Sequence, residues 1–416
     1  MTSVNAMRFL NISLRFATLG TRFVFVFFLA KYMSADSVGY YGIFTASIGY
    51  AIFFVGAEFH VYVARQILSV PEESRGRMLK GHAALSGVLY LVWFPLFAAL
   101  LYQAGWPEHL VLWFLPILFL DHINQEIFRV MVVMRAQLSA SFLLFIRQGT
   151  WAIAMVLLMA FSEAGRSLDI IMMSWLFAGV AALALGVQKL RRLEITGWHL
   201  PIDWAWMRRG LLIAAPFLIA TLAQRGILTF DRYWLKDLGG IEIVGSYVLF
   251  FGVASGLSVF LDAGVFSYTY PELIKHHLDN EREIARAKVR VMLWQTLVSV
   301  AGFAVVSWLL MPYILQWIGN PVHEGYIGLF PWVLSAISLL AISQVAHWGL
   351  YAIAKDKVIV ISHIVALIGF VMVTWMGSDN FGPLAVLIGL NAAFGSILII
   401  KGVAYFRLTR PAGARV

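Results

Sequence analysis

Long apolar segments recur along the whole chain and restrict what it can fold into more than any other feature. Short connections separate these segments and carry most of the charged residues. Segments of this length and composition are typical of transmembrane helices. Twelve are predicted, at roughly 10–33, 39–57, 82–103, 109–130, 141–162, 169–188, 210–233, 243–266, 290–312, 327–350, 358–376 and 380–400.

Composition agrees with lipid as the solvent for much of the chain. Hydrophobic residues make up 61% and charged residues 13% of the sequence, whereas a soluble globular chain has about 25% charged residues. Lipid offers no hydrogen bonds to the backbone, so each apolar segment must form a helix. A β-barrel would instead show shorter segments of alternating polarity. The predicted fold class is therefore an all-α polytopic membrane protein.

Several kinds of chemistry are not expected from this sequence. The chain has no cysteine, so it can form no disulfide and no thiolate metal site. It has no glycine-rich phosphate loop of the type that precedes Lys-Ser or Lys-Thr in ATPases. We find no catalytic pair and no metal-ligand spacing, so the sequence predicts a protein that is not an enzyme and needs no cofactor.

Basic residues alternate between the two sets of connections. They are concentrated in one set, which includes the segments 58–81, 189–209 and 267–289, and few occur in the other. By the positive-inside rule the basic set is cytoplasmic, which places both termini in the cytoplasm. The few basic residues of the opposite set are Lys31, Arg166, Arg232 and Lys236. Attraction to the membrane surface accounts for the net charge of +9, so no nucleic-acid partner is expected.

The two halves of the chain repeat each other. "ATLGTR" at 17–22 returns as "ATLAQR" at 220–225, and "VGYYGIF" at 38–44 returns as "VGSYVLF" at 244–250. We predict two pseudo-symmetric six-helix lobes around a central cavity, with a substrate site between the halves near mid-membrane. The predicted domains are a lobe at 1–190, a cytoplasmic interfacial linker at 191–209 and a lobe with a short cytoplasmic tail at 210–416. Trp198, Trp204 and Trp206 are expected at headgroup depth in that linker.

Each lobe begins with a helix that carries a polar stripe. On the first helix the stripe includes Arg15, Thr18 and Arg22, which lie on one face at 3.6 residues per turn. An arginine at the bilayer centre costs about 3 kcal/mol on insertion scales, so lipid-facing positions are unfavourable and a hydrated cavity is expected. The predicted substrate-binding residues are Arg22, Arg225, Arg15, Arg147, Thr18, Thr221, Gln224 and Arg232.

The alternative is that these arginines pair with acids and hold helices together. Counting along the helices puts Glu58, Asp121, Glu126 and Asp262 toward the cytoplasmic ends and Asp231 toward the outer end. No acid is expected level with Arg22, and at most Asp231 with Arg225. Glu58, Asp121, Asp231 and Asp262 are candidate gate or coupling residues, and His347 and His363 are expected to be packing residues.

Two stretches resemble a known family. The first is "LAKYMSADSVGYYGIFTASIGYAIFFVGAEFHVYVARQIL" at 29–68, and the second is "FDRYWLKDLGGIEIVGSYVLF" at 230–250, with Asp231-Arg232 before a V-G-x-Y motif. Both resemble the polysaccharide and O-antigen flippases, the Wzx-like branch of the MATE/MOP superfamily. The resemblance implies translocation of an undecaprenyl-diphosphate-linked oligosaccharide from the inner to the outer leaflet of the bacterial inner membrane. Arg22 and Arg225 match the cationic cavity of that family by position.

The resemblance also implies partners and leaves alternatives open. The expected partners are a polyprenyl-diphosphate-linked glycan, membrane lipids and other polysaccharide-assembly proteins. A MATE-type exporter of small molecules or drugs has the same number of spans, although exporters of cations need buried acids at mid-depth. A membrane glycosyltransferase or ligase would need a large outer loop, which this sequence lacks. Coupling to H⁺ or Na⁺ stays open.

The predicted topology can be tested with reporter fusions. Fusions at Arg166 and Asn320 should report an external location, and fusions at Leu200 and Asn280 an internal one, because the basic connections stay in the cytoplasm. Alkaline phosphatase and a fluorescent protein provide complementary readouts. A reversed result at any of the four positions would contradict the topology.

Overall fold

The computed structural model describes residues 2–409, without the side chains of 2–6 and 8. Between residues 2 and 409 it contains helices, turns and loops but no strand. Twelve of its helical stretches are long and apolar enough to cross a membrane. The all-α fold class and the number of spans predicted from the sequence are thus confirmed. Residues 410–416, the end of the predicted cytoplasmic tail, lie outside the described residues.

The chain divides into two compact units. Unit 1 comprises Met1–Met33 and Phe44–Ile219. Its helices are α1 (Thr2–Tyr32), α2 (Ala35–Gly56), α3 (Phe59–Gln66), α4 (Glu72–Gln103), α5 (Glu108–Val133), α6 (Gln137–Phe145), α7 (Trp151–Phe161) and α8 (Leu168–Arg191), with a π-helical segment at Ile146–Thr150 and a 3₁₀ turn at Glu163–Gly165.

Unit 2 comprises Ser34–Ile43 and Ala220–Val416. Its helices are α9 (Trp204–Gly239), α10 (Ile241–Leu261), α11 (Ser267–Leu278), α12 (Arg282–Ile318), α13 (Pro321–Gly325), α14 (Phe330–Ala352), α15 (Asp356–Phe381) and α16 (Leu384–Thr409), with a π-helical segment at Asp262–Phe266 and a 3₁₀ turn at Ile327–Leu329. The division falls inside α2 and α9, so the lobe boundaries given by the sequence stay a prediction.

The outward-facing apolar surface of the helices is large. In the most apolar window of the α12 span only 11% of the residues are buried within the protein, and in α4 only 17%. Trp294, Trp308 and Tyr313 on α12 are all more than half exposed. A water-soluble protein does not expose apolar patches of this extent, so lipid is the medium that covers them.

The predicted interfacial linker packs mainly on α4. The Gly76 backbone N–H donates to the Thr196 carbonyl at 2.7 Å, and the Lys80 ammonium donates to the Trp198 carbonyl at 2.9 Å. Trp198 is 44% exposed, as an interfacial tryptophan would be. Trp206, however, is buried, and its indole N–H donates to Gln66 Oε1 at 2.7 Å.

Trp206 is therefore packed inside the protein, and the membrane depth predicted for it stays a prediction. Its ring lies 5.2 Å from that of Phe59 and 5.3 Å from that of Tyr62, both on α3. Such aromatic pairs stabilise a buried tryptophan whose N–H is also satisfied. The sequence could not reveal this contact, because the partners lie about 140 residues earlier in a short helix that the apolar segments did not predict.

The two copies of the repeated V-G motif pack against each other within unit 2. A Cβ on Gly245 would lie 2.1 Å from the Ala35 carbonyl oxygen, and a Cβ on Gly39 would lie 2.4 Å from the Ile241 carbonyl oxygen. Only glycine lets the start of α2 approach α10 so closely, as small residues do in membrane helix pairs. The repeat of the motif therefore has a structural cause.

We expect Gly245→Ala to destabilise unit 2. The added methyl group would overlap backbone atoms that cannot move as a side-chain end can, and overpacking of this kind typically costs about 1–3 kcal/mol. Thermal unfolding of the purified protein in detergent measures the change. Gly369→Ala on α15 is the matched control, because a Cβ there meets nothing within 4 Å. Equal stability of the two variants would refute the packing role.

Candidate functional site

The polar stripe of α1 faces the neighbouring helices of unit 1. Arg15 Nε donates to Ser141 Oγ at 3.1 Å, and Arg22 Nη1 donates to Gln148 Oε1 at 3.4 Å. Thr18 is buried between them, and its hydroxyl donates to its own helix at the Leu14 carbonyl. Both arginines stay exposed despite these contacts. The predicted stripe is therefore polar and accessible along one side of α1.

Arg147 joins this stripe from the π-helical segment Ile146–Thr150. It is buried, and Nη1 donates to the backbone carbonyl of Asp121 at 2.9 Å. A π-helical segment widens one turn of a helix and is frequent at functional sites. Here it sets Arg147 against α5 while the next residue, Gln148, faces Arg22. We call Arg15, Arg22 and Arg147 the arginine cluster.

Asp121 lies beside the arginine cluster, contrary to the depth expected from the sequence. Its carboxylate accepts a hydrogen bond from the indole N–H of Trp175 at 3.3 Å and interacts electrostatically with Arg147 and Arg22. Counting residues assumed straight and regular helices. Pro116 inside α5 and the π-helical segment beside it break that assumption.

The arginine cluster has a surplus of positive charge and of hydrogen-bond donors. The Asp121 carboxylate interacts with two of the three guanidinium groups, those of Arg147 and Arg22. Each guanidinium has five N–H donors, and the hydrogen bonds given above use one donor on each. Among the described residues those bonds go to a hydroxyl, an amide and a backbone carbonyl, all of them neutral. Such a group of donors is suited to an anionic ligand.

Arg225 belongs to unit 2 and is exposed on α9. Thr221 and Gln224 beside it are half-buried. One turn further on, the Thr229 hydroxyl donates to the Arg225 carbonyl at 2.9 Å. The structure thus leaves the Arg225 side chain accessible, and its role as a ligand-binding residue stays a prediction.

Asp231 and Arg232 form a buried ion pair inside unit 2. Arg232 Nη1 lies 3.0 Å from Asp231 Oδ1, and the Tyr247 hydroxyl donates to the other oxygen of the same carboxylate. The guanidinium also lies 4.8 Å from the centre of the Phe251 ring. These contacts occupy both charged groups and tie α9 to α10. They favour a structural role for Arg232 over the predicted binding of substrate.

The remaining gate or coupling candidates lie in different surroundings. Glu58 is buried, adopts a left-handed backbone conformation with φ 53° and approaches His60 Nδ1 at 3.3 Å. Asp262 is exposed at the start of the second π-helical segment. Neither residue is shown to gate or couple transport, so both stay predictions.

Lys401 is a buried charged residue that the sequence did not identify. The predicted last span ends at residue 400, whereas α16 continues to Thr409 and encloses Lys401. Its side chain is 1% exposed, and Nζ lies 3.2 Å from His347 Nδ1 and 3.0 Å from His363 Nε2. Lys401 therefore contacts both His347 and His363, the two intramembrane histidines that the sequence predicts as packing residues.

Comparisons with known proteins identify the fold. The chain matches no family model, and no curated protein matches it. A solved inward-facing multidrug resistance MATE family transporter of the MOP superfamily superposes with a TM-score of 0.78 at 12% identity, over 96% of this chain and 98% of that one. An outward-facing form of a MATE transporter gives 0.61 at 13% identity, over 97% and 95%. A mutant of the Vibrio cholerae MATE transporter VcmN gives 0.51 at 14% identity, over 98% of each chain.

The chain is a multi-pass membrane protein with the fold of the MATE transporters of the MOP superfamily. At these identities the likeness concerns the fold alone. The solved structures that share this fold are transporters, and the fold by itself does not choose between the exporter and the flippase. The choice between them has to come from the charged residues of the site.

We expect Tyr247→Phe to destabilise unit 2 without removing a charge. The substitution leaves the buried Asp231 carboxylate with one hydrogen bond fewer, which typically costs about 1–3 kcal/mol. Unfolding of the purified variant in detergent measures the loss. Tyr268→Phe is the matched control, because Tyr268 is 71% exposed. If the two variants unfold alike, the Asp231–Arg232–Tyr247 group does not stabilise the unit.

Proposed function

We propose that the chain is a flippase for a polyprenyl-diphosphate-linked oligosaccharide, such as a unit of O-antigen, capsule or exopolysaccharide. In this proposal it works by alternating access in the bacterial inner membrane, with both termini in the cytoplasm. The observation that carries the proposal is the arginine cluster of unit 1. Arg15, Arg22 and Arg147 all lie within candidate membrane spans, where an uncompensated cation is unfavourable.

A diphosphate supplies the negative charge and the hydrogen-bond acceptors that the arginine cluster lacks. Its oxygens accept hydrogen bonds from guanidinium groups in the paired geometry that arginine presents, and arginine stays charged in a medium of low dielectric constant. Two phosphate groups carry enough negative charge to balance the surplus beside Asp121. A lipid-linked diphosphate also reaches such a site from the bilayer, because its polyprenyl tail can stay in lipid while the headgroup enters.

The acids of the spans argue against a cationic substrate. Three membrane-embedded carboxylates have partners inside the protein: Asp121 has Trp175 and Arg147, Asp231 has Arg232 and Tyr247, and Glu126 has Arg129. A carboxylate already paired with arginine has little capacity to bind a second cation. An exporter of cationic drugs would need at least one such acid to be accessible.

The carboxylate of Asp262 favours the second candidate function, that of a MATE-type exporter. It is exposed, and it lies in the π-helical segment of a candidate span. If the protein exports cations, Asp262→Asn should abolish resistance to them. If the protein is the proposed flippase, the same substitution should leave export of the lipid-linked glycan near the parental level, because the diphosphate is held elsewhere.

The membrane potential supports the outward direction of transport. An inside-negative potential favours outward movement of an anion by about 2.3 kcal/mol per elementary charge per 100 mV. A diphosphate headgroup carries more than one such charge at neutral pH. Outward flipping of this substrate therefore needs no ATP site on the chain.

The test is export by cells that produce Arg22→Ala, Arg225→Ala or Arg147→Ala in place of the parent protein. Loss of charge-assisted hydrogen bonds, each worth about 1.5–3 kcal/mol, should lower the rate of flipping roughly tenfold to a hundredfold. Arg22→Lys should recover only part of the rate, because lysine keeps the charge but not the paired donors. Surface glycan is measured on gels, with protein levels matched by immunoblotting.

Arg286→Ala is the matched control for loss of an arginine. Arg286 pairs with Glu283 on α12 and belongs to unit 2, whereas the arginine cluster belongs to unit 1. Its substitution should leave export unchanged. Parental export by both Arg22→Ala and Arg147→Ala, at normal protein level, would show that these arginines are structural and would remove the support for a diphosphate substrate.

A further inference from the structure

A second polar group in unit 1 lies apart from the arginine cluster, where α3, α4 and α5 meet. Its centre is the Glu126 carboxylate. Oε2 lies 3.6 Å from His82 Nε2, and Oε1 lies 3.7 Å from His122 Nε2. Oε1 also accepts a hydrogen bond from Arg129, one turn later on α5. Two imidazole rings thus approach one carboxylate from different helices, just beyond hydrogen-bond distance.

Both imidazole nitrogens are buried and unsatisfied. His82 is 5% and His122 is 1% exposed, and within the described part of the chain neither Nε2 has a hydrogen-bond partner. Buried polar atoms in native proteins are nearly always paired, so two unpaired nitrogens aimed at one carboxylate need an explanation. A bound proton would explain them. An imidazolium can donate a hydrogen bond from Nε2 to the Glu126 carboxylate, which in the structure lies just beyond hydrogen-bond distance.

The groups that face Glu126 from each helix set the charge of the site. On α3 it is faced by His60, whose Nδ1 lies 3.3 Å from Glu58 Oε2. On α4 it is faced by His82 and by Tyr90, whose hydroxyl lies 2.5 Å from His122 Nδ1. On α5 the charged or titratable groups are His122, Glu126 and Arg129. The carboxylates of Glu58 and Glu126 and the guanidinium of Arg129 give a formal charge of −1 while the imidazoles are neutral. One added proton therefore makes the group neutral.

His60 already faces an acid of its own, because its Nδ1 lies 3.3 Å from Glu58 Oε2. Burial, followed by the charge of Arg129, lowers the pKa of His60 from 6.5 to about 4. Its contact with Glu58 therefore joins a neutral imidazole to a carboxylate. A small cavity of about 20 Å³, lined in part by His60, His82, Glu126 and Arg129, has room for one water molecule beside the carboxylate.

We propose that His82, His122 and Glu126 form a proton-binding site inside unit 1. A proton from solution, relayed by water in the cavity so that the water is restored, forms an N–H bond at Nε2 of one imidazole, and that N–H donates to Glu126. His82 is the preferred acceptor, because it faces Oε2 whereas Oε1 already accepts from Arg129. Binding closes the gap between α4 and α5 by formation of one charge-assisted hydrogen bond.

The site is connected electrostatically to the arginine cluster. The charge of Arg129 acts on Arg147 as well as on Glu126. A proton beside Arg129 therefore changes the electrostatic environment of Arg147 without touching it. The use of this proton to drive transport relies on the proposed function, whereas the proton-binding site itself depends only on the geometry around Glu126.

Nuclear magnetic resonance of the imidazole nitrogens tests the site directly. The full chain is labelled with ¹⁵N at its ten histidines, placed in lipid nanodiscs and assigned with His82→Asn and His122→Asn. Between about pH 7 and pH 4, the His82 signals should change from the neutral to the imidazolium form. In Glu126→Gln this change should disappear from that range, because the carboxylate that stabilises the imidazolium is gone.

Glu281→Gln is the matched control. It removes the carboxylate that lies 2.5 Å from half-buried His276 in unit 2 and should leave the His82 titration unchanged. Should Glu126→Gln fail to fold, His82→Asn gives the second measurement: proton uptake after a pH jump should fall by about one proton per chain. A parent protein whose His82 does not titrate, or a titration unaffected by Glu126→Gln, would overturn the proposal.

The outcome is independent of the substrate. Titration of His82 together with normal glycan export by the arginine variants would keep the proton site and reject the flippase. Loss of export in those variants, with no titration of His82, would keep the flippase and reject the proton site. The two proposals therefore cannot fail through the same observation.

Discussion

The structure depends on how ionised side chains are paired in a medium that does not solvate them. An isolated charge inside a membrane span is costly, so it needs an opposite charge, hydrogen bonds or access to water. Asp231 and Arg232 meet this requirement in unit 2 with the help of the Tyr247 hydroxyl, and Glu126 and Arg129 meet it in unit 1. These pairs occupy two of the carboxylates in the spans and leave Asp121 as the carboxylate beside the arginine cluster.

Once those pairs are formed, the arginine cluster remains with more cation than acid. Arg15 and Arg22 are exposed, and the hydrogen bonds that they make go to neutral groups. A purely structural arginine would be expected to be buried against a carboxylate, as Arg232 is. The difference between Arg232 and Arg22 is therefore the reason for proposing that Arg232 stabilises the fold and that Arg22 binds a ligand.

The sequence predicted what depends on local pattern and missed what depends on distant contacts. Lipid requires long apolar helices, so twelve spans could be counted, and the repeated V-G motif could be recognised in both halves. The burial of Trp206 was missed because its partners lie far away in the chain, and Asp121 was misplaced because Pro116 and the π-helical segment interrupt regular helices. Lys401 was missed because the predicted span was ended at the first charged residue. The helix continues past Lys401, which is buried and contacts two histidines.

The repeat also indicates how the two units came to differ. Arg22 and Arg225 are related by an offset of 203 residues, and the same offset relates Asp231 and Arg232 to Phe28 and Leu29. The first copy thus has apolar side chains where the second has a buried ion pair, and Leu29 is fully buried. Because an ion pair and an apolar pair can fill equivalent space at similar stability, each copy could keep its packing while its charge changed. The surplus cations of unit 1 lie on α1 and in the π-helical segment, and in the proposed function these are the groups that would hold the anionic headgroup.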